Sequence, residues 1–109
     1  LALAMLAEVR ATVRPELKPR DAFLARVAVN VLGVVQRELT LGPAAEAEAV
    51  ARMSGLLGHT GSYEDLTAEL CARLQAGEMD AETPGLLAAL RANAQDQVAI
   101  DQPNYSSAR

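Results

Sequence analysis

The chain has 109 residues, 50% of them hydrophobic and 22% charged, a balance too apolar for disorder in a length too short for two cores. A net charge of −4 and a pI near 4.9 argue against a nucleic-acid or anionic-membrane partner, because counterion release needs a concentrated basic surface. Aromatic residues are only 3%, with no Trp and one Phe, so the core must come from Leu, Val and Ala, which favours closely packed helices.

The single Cys71 cannot form an internal disulfide, and a small secreted domain normally carries several, so a reducing, cytoplasmic setting is expected. No apolar run approaches the roughly 18 residues of a spanning helix, and "LALAMLA" lacks the basic flank of a signal peptide. The chain opens on Leu1 without an initiator Met or a capping residue, which predicts further residues upstream of the first helix.

Five helical stretches and no strand are expected in a single domain over 1–109. Leu1, Met5, Val9 and Val13 mark the first, which ends near Arg14 because Pro15 disfavours helical geometry in the residue before it. "PELKPR" reads as a connector. Asp21 is placed to cap a long second helix to about Leu39, and "TLGP" reads as its stop, with Gly42 left-handed and Pro43 opening the next helix antiparallel to it. Ala45, Ala49, Met53 and Leu56 or Leu57 mark the inner side of the third helix, with Glu48 and Arg52 as an exposed i, i+4 pair. "GHTGS" closes it. Ser62 with Asp65 starts a fourth helix striped by Leu66, Leu70 and Leu74 as far as Gly77. Thr83 and Pro84 open a fifth, with Leu87, Leu90, Ala94 and Val98 inward, and Pro103 sets an extended tail over 101–109. The expected architecture is an all-α up-and-down bundle of four main helices plus a fifth.

The stretch "RVAVNVLGVVQREL" at 26–39 is unusual. At 100° per residue Arg26, Asn30, Gly33 and Arg37 fall within about 60° of one another, a polar seam along three turns. The opposite arc carries Phe23, Leu24, Val27, Val31, Val34, Val35 and Leu39, and is expected to enter the core. Gly in a helix interior costs about 0.5–1 kcal/mol relative to Ala, so Gly33 points to a backbone or ligand approaching closely. Two guanidiniums and an amide around it suit a carboxylate or phosphate. Equally, the arginines can be solvated or paired, and Gly33 can mark a helix crossing. Glu38 projects into the apolar arc, where an unpaired carboxylate is costly; it is read as a structural ion pair, with Arg73 or a helix N-terminus as partner, unless it turns out to water.

Other candidates are thin. His59, the only histidine, lies in a Gly-flanked turn, and Cys71 reads as a small buried hydrophobe; together they lack the ligand number for zinc. "EAE" at 46–48 and "EMDAE" at 78–82 follow no calcium-loop pattern and read as solvated faces. No phosphate loop, G-x-S-x-G or H-E-x-x-H is present, so no catalytic residue, metal or cofactor is expected.

The phrases "FLARVAVNVLGVVQRELTLGP", "LTAELCARLQAGEMD" and "LLAALRANAQDQVAIDQPNY" resemble an uncharacterised bacterial helical domain family, domain of unknown function 6285, over about Leu6 to Tyr105. The likeness is most specific at Arg26, Asn30, Arg37, Glu38 and Leu39 followed by Gly42 and Pro43, and at "IDQPNY", where this chain has Gln97 in place of a basic residue. The resemblance implies occurrence beside or fused to aminoglycoside-phosphotransferase-like proteins in acyl-CoA metabolic gene neighbourhoods, and carries no activity with it. The expected function is therefore a non-catalytic accessory or protein-interaction domain whose partner is a phosphotransferase-like protein of the same gene neighbourhood, contacted through Arg26, Asn30, Gly33 and Arg37. The alternative is a domain binding a phosphate- or carboxylate-bearing, acyl-CoA-like small molecule through the same arginines. Self-association through an alanine-rich helix face, giving a homodimer, is a third reading, and catalysis is the least supported.

Overall fold

The computed structural model describes residues 4, 5 and 18–105. Among them the fold is all-α: α1 spans Pro19–Leu57, α2 Tyr63–Gln75 and α3 Leu86–Asp101, with no strand. The first expected helix falls almost wholly outside the described residues; of it only 4 and 5 are described, and both are helical. The expected second and third helices are one, so among the described residues, which leave out the first expected helix, the four-plus-one count is corrected to three. The chain divides into two compact units, 1–40 and 41–109.

The expected stop at Gly42–Pro43 fails for a local reason. Pro43 lacks the N–H that would bond the carbonyl of Leu39, but both residues are exposed, so water can satisfy that carbonyl. Gly42 is not among the glycines with positive φ, and the Ala- and Glu-rich run at 44–49 is strongly helix-forming. The hydroxyl of Thr40 donates to the Gln36 carbonyl at 2.8 Å, so this side chain is satisfied within the helix and does not compete for another backbone arrangement. At its start, α1 begins two residues earlier than Asp21: Ala22 N–H donates to the Lys18 carbonyl at 2.7 Å, and Asp21 sits in the first turn, where a carboxylate favours the helix dipole.

In unit 1, Val29 and Gly33 are buried, and Ala22, Ala25, Val34 and Gln36 are half-buried. The expected inner arc is not. Of its residues Phe23, Leu24, Val27, Val31, Val35 and Leu39 are exposed, from 44% at Val27 to 74% at Leu39, and only Val34 is half-buried; Leu32, beside the arc, is exposed with them. The buried stripe runs through Ala22, Ala25 and Gly33, small residues that permit close approach, with Val29 among them, whereas bulk alone pointed to the other side.

In unit 2 the apolar pattern does turn inward. Ala49, Met53 and Leu57 of α1 pack with Leu66 and Leu70 of α2, Met79 and Leu86, flanked by Val50, Leu56 and Leu74. Each large side chain removed from water here contributes about 1.5–3 kcal/mol. Gly58, at φ 82°, ends α1 as "GHTGS" implies. Ser62 caps α2 as expected, its Oγ accepting the Asp65 N–H at 3.1 Å. Gly77, at φ 77°, closes α2 in a paired arrangement: Gly77 N–H donates to the Leu74 carbonyl and Glu78 N–H to the Arg73 carbonyl, at 3.2 and 3.0 Å.

Two expectations for α3 are corrected. Its buried side is Leu86, Ala89 and Ile100, with Asn93 and Asp96 half-buried, while Leu87 is 59% exposed. The spacing was legible but the face is rotated by one residue, about 100°, because Arg52 draws Asn93 and Asp96 inward. Over 102–105 the expected extended tail is a turn: Tyr105 N–H donates to the Gln102 carbonyl at 3.0 Å, with Pro103 at the second position, where a fixed φ favours it; 106–109 lie outside the described residues. Among the described residues, no helix is long and apolar enough to cross a membrane.

Candidate interaction surface

The seam residues share one helix, unbroken at Gly33, so their angular grouping stands: Arg26, Asn30, Gly33 and Arg37 lie on one stripe of α1. Their environments differ. Arg26 and Asn30 are exposed, and the Arg26 guanidinium leans over the Phe23 ring, 5.8 Å from its centroid, close enough for a cation–π attraction. Gly33 is buried and Arg37 half-buried. Among the described residues, a Cβ at position 33 would meet Arg37 Nη1 at 3.2 Å, so the close approach that the glycine permits is the guanidinium one turn further along. The seam thus borders the buried side of its unit rather than lying opposite it, because Gly33 itself belongs to the small-residue stripe.

The surface opposite Gly33 is the apolar arc of Phe23 to Leu39. Glu38 lies within it, exposed, and has no ion-pair partner among the described residues. Of the alternatives expected for Glu38, the turn out to water is the one found and the structural ion pair is not; Arg73 is held by Glu69 at 3.1 Å, one turn away on its own helix. No sequence signal marked the arc as outward, since a run of Val and Leu looks the same whichever way it faces.

Unit 2 carries two polar clusters. Arg52 donates to Glu48 at 3.2 Å, to Asp96 at 3.0 Å and to Asn93 at 2.9 Å, so the exposed Glu48–Arg52 pair of the sequence extends into a bridge between α1 and α3. A cleft of about 450 Å³ beside it is lined by Arg52, Gly55, Leu56, Pro84, Gly85 and two alanines. Its guanidinium is already matched by two carboxylates. The second cluster is on the surface: His59 donates from Nε2 to the Glu69 carboxylate at 2.8 Å and from Nδ1 to the Thr60 carbonyl at 3.2 Å. Two acceptors suit a doubly protonated ring, and the bond to Glu69, then that to Thr60, raise the His59 pKa above its ordinary value.

Cys71 is exposed, not buried as its neighbour Leu70 suggested, because it sits about 100° outside the Leu66, Leu70 and Leu74 stripe. Met79 is the reverse case, a core residue missed because it lies in the acidic "EMDAE" loop; there Asp80 and Thr83 tie the backbone through bonds to Glu82 N–H and from Asp80 N–H. Among the described residues no group of three or more His, Cys, Asp or Glu side chains could hold a metal ion.

The family model for the domain of unknown function DUF6285 matches residues 15–105, and the chain belongs to that family. No curated protein and no solved structure matches it.

Proposed function

We propose that this DUF6285 member is a non-catalytic interaction domain. The observation that carries the reading is the arc of seven large apolar side chains left in water on one face of α1. Single exposed aliphatics are ordinary, but a contiguous set along roughly four turns of one helix is the usual mark of a surface that meets another protein. The partner that the family resemblance implies is a phosphotransferase-like protein of the same gene neighbourhood, in the cytoplasm. Its contact edge is the seam on the flank of the arc: Arg26 and Asn30, with Arg37 folded over Gly33, offer directional donors to a carboxylate-bearing surface.

The small-molecule alternative has less behind it. The cleft beside Arg52 includes none of the seam residues, and its cation is neutralised by Glu48 and Asp96. Titration of the neighbouring kinase into the chain tests the interaction reading, comparing wild type with Arg26→Ala/Arg37→Ala. Loss of two charge-assisted contacts is expected to weaken binding by about tenfold or more. Undiminished binding by the double variant removes the seam from the interface.

A further inference from the structure

We propose that the apolar arc of α1 is covered by the same arc of a second copy of this chain, in an antiparallel two-fold pairing. The inference rests on the interaction reading above and divides its surface: the arc takes the second copy, and the Arg26, Asn30, Gly33 and Arg37 seam on its flank is left for the phosphotransferase-like partner.

Three observations carry it. The first is size. The fractional exposures of Phe23, Leu24, Val27, Val31, Leu32, Val35 and Leu39 correspond to about 700 Å² per copy, so a pair has up to about 1,400 Å² of this surface to bury, which reaches the range of about 1,200–2,000 Å² for stable specific interfaces. The second is composition. The charged residues on this arc are few: Arg20 and Asp21 in the first turn, and Glu38 near the far end.

The third is symmetry. Arg20 and Glu38 are separated by five helical turns, so they occupy the same angular position about 27 Å apart, too far to meet within one helix. An antiparallel two-fold places residue i of one copy beside residue 58 − i of the other. That one register sets Arg20 against Glu38 of the second copy at both ends, Phe23 against Val35, and Val27 against Val31 at the centre. At a shallow crossing of about 20° the ends remain in reach. A two-fold interface is self-complementary by construction, and here the only basic residue of the arc finds the carboxylate that has no ion-pair partner among the described residues. The same placement brings Glu38 close to the N-terminus of the facing helix, where a negative charge is favoured.

Sedimentation of the chain over a range of concentrations, with helicity checked by circular dichroism, provides the test. The wild type is expected to dimerise reversibly. Val31→Asp, exposed in the single chain and central in the pair, should weaken the dimer by about a hundredfold. Arg20→Glu and Glu38→Arg should each weaken it by about tenfold, since each substitution sets like charges together twice. The double variant Arg20→Glu/Glu38→Arg should recover most of the wild-type affinity, a rescue that no contact within one copy can produce. A wild type that stays monomeric to about 100 µM overturns the pairing. So does a double variant weaker than either single one, which excludes the register. Neither result touches the kinase titration, so failure of the dimer and failure of the interaction reading remain separate outcomes.

Discussion

Residues 19–40 and 41–57 belong to one continuous helix, yet they treat the same kind of side chain in opposite ways. In the second stretch Ala49, Met53 and Leu57 are buried with Leu66, Leu70 and Leu86, and solvent meets the Glu48 side. In the first, the buried stripe is Val29 and Gly33 with alanines beside them, while Val31, Val35 and Leu39 face water. The difference teaches that apolar periodicity identifies a helix and its faces but does not say what covers each one. Small residues compete for the inside because they allow close approach, and a broad aliphatic face can be kept for another molecule.

The largest expected effect sharpens this contrast directly. Leu66 is 1% exposed at the centre of unit 2, and Leu66→Ala should cost about 2–5 kcal/mol of stability in denaturant unfolding. Leu39→Ala makes the same chemical change on the arc, and under conditions that keep the chain monomeric it should change stability by no more than about 0.5 kcal/mol. Equal losses at the two positions would mean that the arc is packed within the chain, and the contrast would collapse.

Pro43→Ala comes next. Within a continuous helix, proline at this position forfeits one backbone bond and is poorly tolerated, so alanine should stabilise the chain by roughly 1–3 kcal/mol and raise its helicity. The turn that "TLGP" suggests would give the opposite sign, because proline would then be suited to its place. Unfolding midpoints of the two proteins decide between them.

Much of unit 2 could be read directly from the sequence. Ser62 as a cap, Leu66 and Leu70 as a buried stripe and Gly77 as a terminator are each local: a hydroxyl three residues before an N–H, a repeat every four residues, a residue that accepts positive φ. What escaped was decided by partners distant in the chain. Asn93 and Asp96 face inward because of Arg52, more than forty residues earlier, and Met79 is buried although its sequence neighbours are charged. The seam was half legible. Angular arithmetic put Arg26, Asn30, Gly33 and Arg37 on one stripe, and an unbroken α1 preserves that grouping. Nothing in the spacing revealed that the stripe borders the buried side, or that the apolar arc beyond it lies open.

The smallest expected effect concerns charge at the loop joining α1 to α2. His59 has both ring nitrogens aimed at acceptors, so folding favours its protonated form and lifts its pKa above the unfolded value of about 6.5. A raised folded pKa means that the contribution of the His59–Glu69 bond is fully present below the unfolded pKa and fades as pH rises through the folded one. Glu69 is shared with Arg73, and that ion pair does not involve the His59 proton, so only part of the cluster is switched off. The pair is exposed and screened, and its contribution should be small. Unfolding midpoints at pH 5.5 and pH 8.5, compared between wild type and His59→Gln, should differ more at the lower pH. If the two proteins keep the same gap at both values, the ring is neutral in the fold and the cluster is a packing contact with no charge of its own.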